Sequence, residues 1–86
     1  MYKVHIEKRA GKALRKLPKD IIKRITLVLT QLQDDPFPAG CRNIAGSDNS
    51  YRIRVGAYRI IYSVEEEQVH ILVLMVGHRK DVYQNL

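Results

Sequence analysis

The spacing of the apolar residues changes along the chain and separates strand from helix. Tyr2, Val4 and Ile6 alternate with polar residues, which is the period of two that predicts a half-buried strand. A short basic segment from about residue 8 to residue 16 predicts a first helix. Leu17-Pro18 ends this helix, because the residue before a proline avoids helical backbone angles. The chain therefore opens with a strand and a short helix.

A second helix has the clearest pattern. Its apolar side chains recur at helical spacing and form one stripe, so one face is expected to pack against the rest of the protein. Pro36 and Pro38 follow the stripe and stop the helix. The stripe consists of Ile21, Ile22, Ile25, Val28, Leu29 and Leu32.

The last third of the chain predicts three strands, at about 51–55, 58–64 and 69–76. The third of these is almost continuously apolar, which is typical of a central strand covered on both faces. A short extended piece is expected near 43–46 in the preceding connection. The order βααβββ predicts one α+β domain over residues 1–86. Two N-terminal helices would pack on a twisted antiparallel sheet, with a short C-terminal turn after it.

Arginines occupy the polar side of the first hairpin in that sheet. Gly56-Ala57 is a two-residue turn of predicted type II′, because glycine stands at its first position. With this turn, Arg54 lies directly opposite Arg59 on the next strand. Arg52 projects from the same face as Arg54, since side chains alternate along a strand. Opposed like charges destabilise a sheet, so we interpret this cluster as a site for an anion.

The composition supports an anionic partner. The chain has 15 Lys and Arg against 9 Asp and Glu, for a net charge of +6, and from residue 36 to 64 four arginines face Asp48 alone. A basic surface of this kind favours nucleic acid or an acidic protein as a partner. The competing interpretation is that each arginine pairs with a carboxylate, such as Asp48, Asp81 or one of the glutamates at 65–67. A single cysteine, Cys41, fits a reducing cytoplasm, and no apolar run predicts a membrane span.

Several segments in this order resemble the RelE branch of the RelE/ParE toxin superfamily. No one segment is specific, but their order and spacing over almost the whole chain are. They are Lys8-Arg9-Ala10, Leu14-Arg15-Lys16-Leu17-Pro18, Tyr51-Arg52-Ile53-Arg54-Val55-Gly56, Tyr58-Arg59-Ile60-Ile61-Tyr62 and Val76-Gly77-His78-Arg79-Lys80-Asp81-Val82-Tyr83.

The resemblance implies a microbial-ribonuclease-like fold and a cytoplasmic toxin. Such toxins are endoribonucleases (mRNA interferases) that need no metal or cofactor and cut messenger RNA in the A site of the ribosomal 30S subunit. The RNA 2′-hydroxyl attacks the adjacent phosphate, and translation stops. The implied partners are the ribosome, messenger RNA and a cognate RelB-like antitoxin, with operator DNA bound only by the toxin–antitoxin complex.

The resemblance also implies roles for particular residues. Arg59 would bind the scissile phosphate, and Arg52 and Arg54 would stabilise the charged transition state. Arg79 would assist the leaving oxygen, and Tyr83 would position or deprotonate the 2′-hydroxyl. Many relatives carry lysine where this chain has Arg52 and Arg54, which favours electrostatic support over proton transfer at those positions. His78 is an auxiliary acid–base candidate, because histidine is the side chain that ordinarily changes its charge near neutral pH.

Two other functions are compatible with the sequence. A ParE-like toxin would share the fold and inhibit DNA gyrase without cutting RNA. A catalytically inactive relative would retain only antitoxin binding.

Overall fold

Two helices and five strands make up the part of the chain that the structure, a computed structural model, describes (residues 1–78). In chain order they are β1 (Lys3–Ile6), α1 (Lys8–Arg15), α2 (Lys19–Leu32), β2 (Arg42–Asn43), β3 (Ser50–Val55), β4 (Tyr58–Glu65) and β5 (His70–His78). The predicted α+β class and the order of the main elements are confirmed. The predicted extended piece in the long connection is β2, which lies slightly before its expected position.

The five strands form one sheet in the order β1-β5-β4-β3-β2. Strands β2 to β5 pair antiparallel with their neighbours, whereas β1 runs parallel to β5. The backbone N–H of Lys3 donates to the Val69 carbonyl at 3.0 Å, and the N–H of Glu7 donates to Val73 at 3.0 Å. The sheet is therefore mixed and not wholly antiparallel. Alternation along residues 2–6 predicts which side chains share a face, but it does not predict the direction of the neighbouring strand.

The hydrophobic core lies between the two helices and one face of the sheet. Its largest fully buried members are Ile25 and Leu32 from α2 and Ile60, Tyr62 and Ile71 from the sheet. Ala10 is the fully buried residue of α1. Burial of one Leu or Ile side chain is worth about 1.5–3 kcal/mol, so this layer fixes which sheet face turns inward. The opposite face carries the arginines.

Helix α2 carries the predicted apolar stripe and ends before Pro36, as predicted. Pro18 immediately precedes the helix, and its carbonyl accepts a hydrogen bond of 3.0 Å from the backbone N–H of Ile22. The apolar stripe points inward, with Ile25, Leu29 and Leu32 buried, while Leu27 lies off the stripe and is 59% exposed. No helix among residues 1–78 is long and apolar enough to cross a bilayer.

Strand β5 departs from one expectation. It is an internal strand, as predicted, but only one of its faces is fully covered. Ile71, Val73 and Val76 are buried, whereas Leu72 and Leu74 are half-buried. The register with β4 shifts at this level, because Ile61 pairs with Met75 and the next residue, Tyr62, pairs with Val73, which leaves Leu74 as the extra residue in β5. The apolar run therefore reflects partial cover on the second face, and the expectation of full burial was wrong.

Candidate anion-binding site

The arginine face follows from the alternation along β3. Ile53 and Val55 are 8% and 5% exposed and belong to the core. Arg52 precedes Ile53, Arg54 lies between Ile53 and Val55, and both arginines are exposed. Because successive side chains of a strand point to opposite faces, burial of the aliphatic pair places both guanidinium groups on the open face. The predicted arrangement of this strand is confirmed.

The turn at Gly56-Ala57 fixes the register of the hairpin. Gly56 has φ +62°, a left-handed conformation that glycine adopts without a steric penalty. Ala57 does not share the positive φ, as expected for a type II′ turn. The register pairs Val55 with Tyr58 and Arg54 with Arg59. The predicted opposition of Arg54 and Arg59 is therefore confirmed.

These arginines line one open concavity of about 380 Å³. Its lining consists of Gly40, Arg42, Arg52, Arg54 and Arg59, with no carboxylate among the described residues that line it. Guanidinium groups are planar donors that bind phosphate oxygens well. A water-accessible pocket with this lining is suited to a phosphate group. We refer to it as the arginine concavity.

Arg42 was not among the residues singled out as functional in the sequence. It lies on β2, and its register partner on β3 is Arg52. The available signal was compositional, since Arg42 belongs to the set of arginines between residues 36 and 64 that Asp48 alone balances. A two-residue strand inside a long connection has too little periodicity to predict its pairing. Its position depends on contacts that no local pattern encodes.

Two pairs of like charges therefore stand side by side on the open face. Arg42 is opposite Arg52, and Arg54 is opposite Arg59. Directly opposed side chains in a sheet have Cβ atoms roughly 4.5–5.5 Å apart, and arginine keeps its charge at physiological pH. A bound anion would relieve the repulsion within each pair.

Arg59 differs from the other members of the concavity in its burial. Its side chain is half-buried and its Nε atom is fully buried, whereas Arg42, Arg52 and Arg54 are exposed. Enclosure of the Nε end restricts the rotamers of the side chain, so less entropy is lost when the guanidinium binds a ligand. Arg59 is thus the most preorganised cation of the cluster.

The nearby acids form a separate cluster. Asp48, Glu65, Glu66 and Glu67 line a cavity of about 370 Å³ whose lining contains no arginine among the described residues. The side-chain amide of Asn49 donates to the Glu65 carboxylate at 3.2 Å. This separation favours the anion-site interpretation over the alternative in which Asp48 or the 65–67 glutamates neutralise the arginines. Asp81, the other acid in that alternative, lies outside the described residues.

A buried tyrosine holds the connection that carries Arg42. The Tyr62 hydroxyl donates to the Pro36 carbonyl at 2.9 Å, and the Tyr62 ring stacks on Tyr51 with centroids 5.9 Å apart. Phe37 packs edge-on against Tyr51 at 5.1 Å. Burial, reinforced by the neighbouring Cys41, raises the pKa of Tyr62 far above its ordinary value. Tyr62 is therefore a neutral structural donor.

Hydrogen bonds around Ser50 complete the support of β2. The backbone N–H of Ile44 donates to the Ser50 carbonyl at 2.9 Å, and the Asn43 side-chain amide donates to the same oxygen at 3.2 Å. These contacts tie the strand that bears Arg42 to the start of β3. Arg42 is thus presented by a fixed backbone.

The structure places His78 away from the arginine concavity. His78 pairs in register with Tyr58, and their rings meet edge-on at 5.6 Å. The adjacent pair is Gly77 with Arg59, so alternation puts His78 on the helix side of the sheet. There it lines a cavity of about 490 Å³ together with residues of α1. The auxiliary acid–base role of His78 stays a prediction, and this placement does not favour it.

The remaining candidates are Arg79 and Tyr83, which lie outside the described residues, and their predicted roles stay predictions. His5 and His70 pack edge-on at 4.9 Å where β1 meets β5, away from the arginine concavity. Within residues 1–78 no group of three or more His, Cys, Asp or Glu side chains is arranged to hold a metal ion.

Comparison with known proteins places this chain in a family. Residues 4–83 match the model of the ParE toxin family, described as the ParE toxin of type II toxin–antitoxin systems. The chain is a member of the RelE/ParE toxin superfamily. Among curated relatives, the putative toxin RelE1 of Methanocaldococcus jannaschii is 30% identical over 87 residues, covering 98% of this chain and 97% of that protein. The resemblance found in the sequence is confirmed.

Solved structures of RelE proteins share the fold of this superfamily member. The archaeal RelE–RelB complex from Pyrococcus horikoshii contains a chain with a TM-score of 0.82 and 34% identity, over 91% of this chain and 94% of that one. The intact E. coli RelBE toxin–antitoxin complex gives a TM-score of 0.80 and 27% identity, over 91% and 96% of the two chains. The family model is named for ParE, whereas these similar proteins are RelE toxins.

Proposed function

We propose that this toxin is a metal-independent endoribonuclease that cuts messenger RNA in the ribosomal A site. The observation that carries the proposal is the arginine concavity, in which four guanidinium groups from three strands line one pocket without a carboxylate among its described lining residues. The RelE-named relatives and structures support the choice of the RelE activity.

The proposed reaction is an internal phosphoryl transfer. The RNA 2′-oxygen forms a bond to the adjacent phosphorus, and the bond from phosphorus to the 5′-oxygen breaks. The products are a 2′,3′-cyclic phosphate and a 5′-hydroxyl, so the proton lost by the 2′-hydroxyl is balanced by one gained at the leaving oxygen. Negative charge builds on the phosphate oxygens in the transition state, and positioned cations lower its free energy.

The described residues supply the binding and charge stabilisation for this step. Arg59, half-buried and preorganised, is the proposed ligand of the scissile phosphate, with Arg54 opposite it. Arg52 adds positive charge on the same face. None of these side chains serves as a proton acceptor at neutral pH. By family resemblance, Tyr83 would position or deprotonate the 2′-hydroxyl and Arg79 would assist the leaving oxygen. General base catalysis by Tyr83 would contribute about 10²–10⁴-fold.

The proposed protein partner is a RelB-like antitoxin. Relatives were solved as complexes with RelB, and the surface described here favours a partner that brings carboxylates to the arginine concavity. The exposed Leu27 offers an apolar contact on the helix layer. Operator DNA would be bound only by the toxin–antitoxin complex.

Purified toxin added to ribosomes programmed with a defined message tests the proposal. We expect cleavage at the A-site codon, mapped by primer extension, and no cleavage when the attacking 2′-hydroxyl is replaced by hydrogen. Arg59→Ala should reduce the single-turnover rate by about 10²–10³-fold, the usual loss when one transition-state donor is removed. Lys3→Gln, which removes a charge at the far edge of the sheet, is the matched control. Intact message with the unmodified protein would refute the nuclease.

The family model gives one reason to test a second function. It is named for ParE, and a ParE-like toxin would inhibit gyrase by binding. Expression would then cause DNA damage while messages stay intact, the opposite of the result expected here. Growth arrest without antitoxin would in turn exclude an inactive relative.

A further inference from the structure

Arg42 extends the arginine cluster beyond the set expected from the sequence. It is exposed on β2, pairs with Arg52 on β3 and lines the arginine concavity. The contacts of Asn43 and Ile44 with Ser50 hold β2 against β3 next to this pairing. Arg42 therefore belongs to the site by position, and the proposed chemistry gives it no role so far.

The geometry of the strands divides the four arginines into two pairs. Arg52 and Arg54 are two residues apart on β3, which separates the pairs by roughly 7 Å along the strand. Arg42 and Arg59 lie two strands apart, or roughly 9–10 Å across the sheet. The opposed partners within a pair are closer to each other than to the other pair. Each pair is thus suited to one phosphate group, and the pairs follow one another as the phosphates of a single strand do.

We propose that Arg42 and Arg52 bind the phosphate adjacent to the scissile one, while Arg54 and Arg59 bind the scissile phosphate. That the phosphate bound by Arg54 and Arg59 is the scissile one rests on the proposed function. The binding of two consecutive phosphates by the two arginine pairs does not. The RNA backbone would then cross β2, β3 and β4 along the arginine concavity.

This assignment separates the kinetic effects of the arginines. The adjacent phosphate keeps the same charge in the ground state and in the transition state, so a contact with it contributes equally to both. Removing Arg42 should therefore raise KM and leave kcat nearly unchanged. Arg59 contacts the phosphate at which charge develops, so its loss should lower kcat.

The first experiment measures binding without cleavage. A short single-stranded RNA with a 2′-O-methyl group at every position would be titrated with wild-type protein and with Arg42→Gln at several salt concentrations. Each phosphate contact contributes about 0.7 to the slope of log K against log salt. We expect the slope for Arg42→Gln to fall by about 0.7, the slope for Arg42→Lys to return close to the wild-type value, and Lys3→Gln to leave it unchanged. Lys3 is exposed on the same sheet face at the opposite edge, paired with His70.

The second experiment uses programmed ribosomes. Arg42→Gln should raise KM about three- to tenfold, an ordinary cost for one exposed charge-assisted contact, with kcat changed less than twofold. Messages carrying one neutral methylphosphonate, on either side of the cleavage site, identify the phosphate. At the correct side the wild-type KM should rise by a similar factor, and Arg42→Gln should add no further loss.

The outcomes distinguish this inference from the proposed nuclease activity. If the wild-type protein leaves messages intact but the salt slope falls for Arg42→Gln alone, the nuclease proposal fails and the phosphate contact stands. An unchanged slope, or an equal fall for Lys3→Gln, overturns the contact whether or not cleavage occurs. A loss of kcat at constant KM would place Arg42 on the scissile phosphate and overturn the assignment to its neighbour. Circular dichroism and thermal unfolding of Arg42→Gln check that the fold is retained.

Discussion

The opposition of Arg54 and Arg59 predicts that a site residue destabilises the protein. Their positive charges face each other across the hairpin in direct register. Replacing Arg54 by glutamine keeps a long polar side chain on this exposed position and removes one of the two charges. We therefore expect Arg54→Gln to be more stable than the wild type and less active on RNA, the trade-off expected where function requires an unfavourable local arrangement.

The size of the effect follows from the geometry of the pair. A directly opposed charged pair changes sheet stability by about 0.2–1 kcal/mol. For a protein of this length 1 kcal/mol corresponds to about 4–8 °C in Tm, so the expected increase is about 1–8 °C. Salt screens the repulsion, because the Debye length falls from about 30 Å at 0.01 M to about 3 Å at 1 M. The stability gap between variant and wild type should therefore close as salt is added.

Thermal and urea unfolding at 0.01 M and 1 M sodium chloride, followed by circular dichroism, measure both quantities. Lys3→Gln is the control, since Lys3 faces His70 and not a second strong cation, and its effect should stay within about 0.5 kcal/mol. The reasoning fails if Arg54→Gln is less stable than the wild type at low salt, or if the gap between them is the same at both salt concentrations.

Three further substitutions test other features. Gly56→Ala should destabilise the protein by about 1–2 kcal/mol in urea unfolding, because φ is +62° and the new Cβ would lie 3.3 Å from the Arg24 guanidinium; unchanged stability would contradict the turn geometry. Val69→Asn should raise stability by about 1 kcal/mol in the same assay, because this β-branched residue has φ +57°; a loss of stability would contradict the strain. The raised pKa of Tyr62 means that the unfolded chain loses this proton first, so the free energy of unfolding should fall as pH rises past about 10. Tyr62→Phe should lower stability at neutral pH by about 1 kcal/mol, since the Pro36 carbonyl loses its hydrogen-bond donor. The same substitution should also reduce the loss of stability at high pH; if the variant loses as much stability as the wild type, another group causes the loss.

Local patterns predicted the parts of the fold that local physics determines. The stripe on α2 and the alternation along β3 each identify a buried face, and Gly56-Ala57 sets a register because a two-residue turn allows few others. The Arg54–Arg59 opposition followed from these signals alone. Family resemblance then supplied the chemistry that alternation cannot provide.

The features that were missed depend on contacts between distant segments. Strand β1 pairs with β5, and Arg42 pairs with Arg52. In both cases the sequence around each residue does not indicate which distant segment it will pair with. The placement of His78 on the helix side follows from the parity of the β4–β5 register, which fixes Gly77 opposite Arg59. The family resemblance places His78 next to Arg79 in the sequence, but it does not predict on which face of the sheet the His78 side chain lies.

The pairing of residues 3–6 with residues 70–73 has a consequence for synthesis. Strand β1 leaves the ribosome before β5 and must wait for it, and contacts of such long sequence separation form late in folding. The nascent chain therefore lacks its finished sheet until β5 has emerged. If the toxin cuts messages on the ribosome as proposed, its sheet would still be incomplete while its own message is being read.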